Sequence, residues 1–273
     1  MWPAAALSFA LLVLPQLGFV WLSFHQDLGL GQISDELTLA NYWTVLTDPL
    51  YLGSIWLTIY LSVATVVVVM LVGFPTAYAL ARMPARLSTG ILGLLLTTSL
   101  ITVVIKLMGL NIILGSSGMV NNLLLYLGIV SSPLQFINNE LGVLIGLVQY
   151  TLPLFIMLLF SVIQTIPLSL EEAAEVHGAT RASLWRRIIL PLAKPGLVAG
   201  ALITFNMSMG AFTSAVLLGG GRVRTIPVLI QQTIIQSTEY GLGAALSTTL
   251  LVLVFLINVA VGIWASRRVR RTP

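Results

Sequence analysis

The sequence predicts an all-α membrane protein of six transmembrane helices with both termini cytoplasmic. Three observations carry this: a composition poor in charge, six apolar stretches separated by polar or basic segments, and a one-sided distribution of lysine and arginine. Of the 273 residues, 58% are hydrophobic and 8% charged. Soluble domains carry about 25% charged residues. So few charges cannot clothe a water-facing surface, and most of this surface is expected to face lipid. A helix needs roughly 20 apolar residues to cross the hydrocarbon core. The chain has room for six such spans and none for an added soluble domain, so a single transmembrane domain over 1–273 is expected. There is no cysteine, which excludes disulfides and thiolate metal sites. Two histidines, His25 and His177, do not make a structural zinc site, so no metal is expected.

The first span runs from Ala4 to Phe24. It lacks a basic leading region and is too long for the core of a signal peptide, so it reads as a span. A polar stretch follows from His25 to Leu50. The second span covers Tyr51–Ala81 and ends at the basic turn Arg82–Arg86. The third starts near Ser88 and reaches at least Leu110. The segment Gly115–Asn139 is polar, with a short apolar run at Leu123–Leu127 placed at the interface. The fourth span covers Glu140–Ile166, with Glu140 at its amino-terminal end, where the helix dipole suits an acid. Leu168–Lys194 is polar and charged. The fifth span covers Pro195–Leu218, and Gly219, Gly220 and Gly221 open the next loop. The sixth covers Gly241–Ala265, before a basic tail.

With the amino terminus inside, the cytoplasmic segments hold Arg82, Arg86, Arg181, Arg186, Arg187, Lys194, Arg267, Arg268, Arg270 and Arg271. Only Lys106, Arg222 and Arg224 fall elsewhere. The excess of basic residues on one side sets the orientation. The tail then anchors to the anionic leaflet and needs no nucleic acid to explain it. No internal repeat is visible, which argues against an inverted-repeat secondary transporter.

The segment between the fourth and fifth spans carries the most information. It reads as a helix, a turn and a second helix. Ser169 and Glu172 have the spacing of a capping box, and Glu171 and Glu172 sit in the first turn. Ala173 and Ala174 are small enough to let another surface approach. His177 closes the helix, and Gly178 can take the left-handed conformation of a helix stop. A second short helix with Leu184, Trp185 and Ile188 leads into Leu190 and Pro191. An ordered segment of this length on the cytoplasmic side calls for a partner.

Glu172-Ala173-Ala174, Gly178 and Ile188-Ile189-Leu190-Pro191 together resemble the full EAA loop of binding-protein-dependent ABC importers. The resemblance runs from about Leu39 to the end of the chain. Thr38–Tyr42, Asp48–Tyr51, Tyr78–Arg82, Gly118 with Asn121, and Leu218–Gly221 are similar to the polyamine-type branch, in particular its first (B-type) permease. That branch also includes importers of opines, phosphonates, thiamine and ferric iron. The resemblance implies a type I, MetI-like transmembrane fold over about 50–265, with 168–194 as the cytoplasmic coupling loop. It implies a bacterial inner-membrane location and four kinds of neighbour. These are two ATP-binding subunits, a second homologous permease, an extracytoplasmic solute-binding protein and the lipid bilayer. The binding protein would meet His25–Leu50, Gly115–Asn139 and Gly219–Tyr240. ATP and Mg would belong to the partner ATPase, with no cofactor in this chain. Glu172, Ala173, Ala174, His177, Gly178, Ala179, Leu190 and Pro191 are the implied coupling residues. A helix from Glu172 to about Ala182 would dock in a cleft of the ATPase. Capping and helix termination account for Glu172 and Gly178 individually, while the whole spacing calls for docking.

Candidates for the solute path are Lys106, Tyr150, Asn206, Met209, Phe212 and Ser214. Lys106 is the basic residue well inside a span, and an intramembrane charge is a functional suspect. The alternative is that it snorkels to the outer interface. Tyr150 precedes Pro153, which is expected to kink the fourth span. Asn206, Ser208, Thr213 and Ser214 form a polar stripe on the fifth span, interleaved with Met207, Met209 and Phe212. That stripe suits a path or interhelical hydrogen bonding equally. No acid stands between Ala211 and Leu218, where polyamine permeases carry one, and a cationic solute would want acids or aromatic faces. Gly142 with Gly146 and Gly196 with Gly200 are small-residue pairs for close helix packing. No P-loop, nucleophile–base pair or HExxH occurs, so the chain is not expected to be an enzyme. A stand-alone secondary transporter or channel is the rival, and its transport would survive loss of an ATPase.

Overall fold

A computed structural model describes residues 2–269. In chain order it comprises α1 (Trp2–Leu22), β1 (His25–Gly29), β2 (Gln32–Leu37), α2 (Ala40–Thr47), α3 (Pro49–Arg82), α4 (Ala85–Leu100), α5 (Val103–Leu114) and α6 (Met119–Tyr126). Then follow α7 (Glu140–Gln164), α8 (Leu168–Val176), α9 (Arg181–Leu184), α10 (Leu190–Met209), α11 (Thr213–Gly219), α12 (Ile226–Gln231) and α13 (Tyr240–Val269). π-helical turns at Trp185–Ile189 and Gln232–Gln236 extend α9 and α12. Among the described residues, five stretches are long and apolar enough to cross a membrane: Pro49–Arg82, Val103–Tyr126, Glu140–Gln164, Arg181–Met209 and Tyr240–Trp264. Shorter apolar helices cover Phe9–Leu22, Ala85–Leu100 and Ile226–Gln236. Arg270 and Arg271 of the basic tail lie outside the described residues.

The expectation of an all-α chain needs correction in the polar stretch His25–Leu50. His25–Gly29 and Gln32–Leu37 pair as an antiparallel hairpin. Its turn holds Gly29, Leu30 and Gly31 at positive φ, which two flanking glycines make accessible.

The third span is not continuous. α4 stops at Leu100, Ile101 and Thr102 are extended, and α5 restarts at Val103. The run Ile101–Val104 is wholly β-branched, and such side chains lose rotamer freedom in a helix. The fifth span begins earlier than Pro195, because helix runs without a gap from Arg181 to Met209. Pro191 removes an N–H and its ring crowds the carbonyl four residues back. The π turn just ahead of it absorbs this, since Leu190 N–H bonds to Trp185 O. The same span then breaks at Gly210–Phe212 before α11.

The chain divides into two compact units, Met1–Ile59 with Arg224–Pro273, and Tyr60–Val223. In the first, α13 packs against α1, α2 and α12. Val45, Leu229, Ala245 and Leu246 form its buried centre. The hairpin is tied to the start of α13: the Asp27 carboxylate accepts from Gly241 N–H and Leu242 N–H, both at 2.9 Å. Asn41 Nδ2 donates to the carbonyls of Ser23 and His25. These bonds satisfy main-chain groups that the ends of two helices leave open.

In the second unit α7 packs against α4, α5, α10 and α11. Both small-residue pairs lie on its seams. A Cβ on Gly196 would come within 2.8 Å of Val162, and one on Gly200 within 2.8 Å of the Phe155 ring. A Cβ on Gly146 would meet Leu218 at 2.8 Å. In lipid there is no hydrophobic drive between helices, so close packing of this kind is what holds them together.

Candidate functional site

The segment 168–191 grows out of the carboxyl end of α7. Pro167 terminates that helix, and α8 begins at Leu168 with Pro167 as its cap. The predicted capping box from Ser169 is therefore absent, because Ser169 already lies inside the first turn, and no side chain caps this end. The far end of α8 is as expected and shorter than Ala182. Gly178 N–H bonds to Glu175 O at 2.9 Å and Ala179 N–H to Ala174 O at 3.0 Å. With Gly178 at φ +77°, this is a Schellman stop. His177 Nδ1 lies 2.8 Å from the Ala173 carbonyl oxygen, so the proton is on Nδ1. Thr180 then caps α9, accepting from Ser183 N–H.

α8 presents two faces. Glu172, Ala173, Glu175, His177 and Gly178 are exposed, while Ala174 and Ala179 are half-buried. Leu190 and Pro191 are exposed at the start of α10. Glu171, one residue before Glu172 and about 100° round the helix, turns inward and is 6% exposed. Its carboxylate is ion-paired with Arg82, with Arg82 Nε donating at 2.7 Å. Tyr78 Oη donates to its other oxygen at 2.6 Å. Arg82 Nη2 also reaches the Ile166 carbonyl at 3.1 Å. Trp185 stacks edgewise on Tyr78 and Phe74, with centroids 4.7 and 5.1 Å apart. A carboxylate this buried is stable only when charge-paired and hydrogen-bonded, and Arg82 and Tyr78 supply both.

Sequence reading missed this root. In the sequence, Arg82 reads as a topology charge and Glu171 as a first-turn acid. The available signal was Tyr78 and Arg82 at i, i+4, which places both on one face of α3.

The path candidates do not form one cluster. Lys106 and Tyr150 are half-buried neighbours, with the ammonium 5.9 Å from the ring centroid, within cation–π range. Met209 and Ser214 are 0% and 1% exposed, packed inside the unit rather than lining open space. Asn206 is exposed and Phe212 half-buried beside the break in the fifth span. Gly118 and Asn121, noted in the sequence, act structurally. Asn121 Nδ2 donates to the Gly115 and Leu134 carbonyls, and its Oδ1 accepts from Leu134 N–H.

The chain matches the family model of binding-protein-dependent transport system inner membrane components over residues 37–271. It is 32% identical to the spermidine/putrescine transport system permease protein PotB of Haemophilus influenzae, over 90% of this chain and 85% of that protein. The corresponding protein of Escherichia coli is also 32% identical, over 89% and 88%. A bacterial alginate ABC transporter, solved with a pentasaccharide-bound periplasmic protein, contains a chain of the same fold. That chain has a TM-score of 0.80 and 19% identity, over 99% of this chain and 93% of that one. The methionine ABC transporter MetNI, in an inward-facing conformation, gives a TM-score of 0.59 at 21% identity, over 82% and 97%. The family match covers far more than half the sequence and includes the whole 168–191 segment, so the chain belongs to the binding-protein-dependent transport system inner membrane components.

Proposed function

We propose that this permease translocates a small polar solute, delivered by a solute-binding protein, through ATP-driven alternating access. The observation that carries the reading is the exposed face of α8, with Glu172, Ala173, His177 and the left-handed Gly178 projecting from a buried root. An isolated transporter has no need of an ordered helix with one face left bare. Glu172 meets a basic group of an ATP-binding subunit, the alanines allow close approach, and Gly178 turns the chain within the cleft. Leu190 and Pro191 form the exit into the fifth span. ATP and Mg are held by that subunit and the chain itself catalyses nothing. Two such subunits and a second homologous permease complete the complex. The chain crosses the membrane six times with both ends cytoplasmic, α1 serving as the first crossing.

A polyamine is the first choice of solute, supported by the two relatives named for spermidine and putrescine. No carboxylate occurs between Leu50 and Glu140 or from Val176 to Thr238. A cation therefore relies on aromatic faces here or on acids of the second permease. That same absence favours the anionic groups of a phosphonate or an opine, with thiamine and ferric iron as further cargoes of this machinery. Lys106, Tyr150, Asn206 and Phe212 border the path, and Met209 and Ser214 join it only in another conformation.

The test is Glu172→Arg and Gly178→Asp in the assembled transporter. Both are expected to abolish co-purification of the ATPase, or uptake, while the permease still inserts. Unchanged co-purification and uptake in both variants would overturn the reading.

A further inference from the structure

Four chain segments meet around the Glu171–Arg82 pair: α8 through Glu171, the end of α3 through Tyr78 and Arg82, the segment after α7 through the Ile166 carbonyl that accepts from Arg82, and the π turn through Trp185 on the Tyr78 ring. The polar bonds are charge-assisted and mostly withdrawn from water, with side-chain exposure of 19% for Arg82 and 7% for Glu171. Such bonds are about twice as strong as neutral ones. Around them lies packed apolar core, including Phe74, Leu184, Ile189 and Ile166. Nothing in the capping of α8 requires this arrangement, because Glu171 makes no cap. A buried ion pair is also a poor device for stability alone, since an apolar replacement of similar volume serves as well. What a directional pair, with Arg82 on one carboxylate oxygen and Tyr78 on the other, does supply is a fixed orientation between two helices.

We infer that Glu171, Arg82, Tyr78 and Trp185 form a rigid joint that makes α8 and the cytoplasmic half of α3 move as one body. This deepens the proposed function and rests on α8 docking an ATPase. Glu172 and Glu171 are adjacent, one facing out and one facing in. Force applied to the outer carboxylate passes through one residue of helix to the inner one, then to Arg82 at the tip of α3. α3 is 34 residues long, about 50 Å at 1.5 Å per residue. It is therefore a lever long enough to carry displacement across the bilayer. All four side chains are positioning residues: they touch neither ATP nor solute.

The chain has no cysteine, so single labels are unambiguous within it. The experiment places spin labels at Val72→Cys on α3 and Ser169→Cys in the first turn of α8, both exposed and neither among the docking residues. Their separation is measured in the full complex in nanodiscs, nucleotide-free and trapped with ATP and vanadate. With the native joint, the separation is expected to be the same in both states. With Glu171→Gln, a second, displaced distance population is expected on trapping. Tyr78→Phe, which removes one hydrogen bond and keeps the ring on Trp185, is expected to show the same population at lower weight. Where Glu171→Gln does not assemble, Tyr78→Phe decides. A native separation that itself changes between states overturns the joint. So does a variant that assembles and keeps a single, invariant separation. If Glu172→Arg fails to release the ATPase, the underlying function is at fault. If it releases the ATPase and the distances stay invariant in the joint variants, only the joint is.

Discussion

Replacing Asp27 with alanine removes the acceptor of two main-chain N–H groups at the start of α13. Both bonds are 2.9 Å long and end on a carboxylate. Hydrogen bonds to charged groups are worth about 1.5–3 kcal/mol each, and deleting a helix cap costs about 0.5–2 kcal/mol. Asp27 is half-buried, so water restores part of what is lost at the freed amides. A net local cost of about 2 kcal/mol follows, roughly a 30-fold rise in the opening equilibrium. The opening involves the hairpin and the first turn of α13 together, because Asp27 belongs to β1. Hydrogen exchange of residues 25–42 and 240–245 in detergent or nanodiscs measures it directly. Asp27→Ala is expected to speed exchange of the Gly241 and Leu242 amides about 30-fold and to loosen the hairpin. Asp27→Asn keeps one acceptor oxygen and should lose only part of the protection, about tenfold. Exchange within about threefold of the parent in Asp27→Ala would refute the clamp, and so would an Asn variant as open as the Ala variant.

Two further substitutions probe the second unit. Gly200→Ala drives a methyl to 2.8 Å from the Phe155 ring. Overpacking is expected to cost about 1–3 kcal/mol, read as a lower thermal midpoint in detergent; an unchanged midpoint would mean that the α7–α10 seam is loose. Asn121→Ala unties Gly115 from Leu134 by removing three hydrogen bonds. It should cost about 2–4 kcal/mol locally and open 115–139 to limited proteolysis, a cleavage pattern like the parent's being the contrary result.

The Schellman stop at Gly178 was legible in the sequence because it is a local matter of one glycine and its neighbours. So was the start of α7 at Glu140, where Asn139 Oδ1 accepts from Gly142 N–H. The hairpin at His25–Leu37 was not legible: its strands, burial pattern included, show no alternation of apolar and polar residues. The breaks at Ile101 and Gly210 were not legible either, because apolar runs hide where helix stops. The root of the candidate site was illegible for a different reason. Its bonds join residues 89 and 93 positions apart, and no local pattern states that two such positions meet.

Sequence alone therefore determined solvent, family and segment order. Charge scarcity requires lipid, and the spacing from Glu172 to Pro191 is a continuous local pattern that a family can share. Tertiary structure decided which of two adjacent carboxylates faces outward. On a helix, neighbours differ by about 100°, and only the packing of α3, α7 and the Trp185 turn around α8 determines which one is buried. It buried Glu171 against Arg82 and left Glu172 exposed.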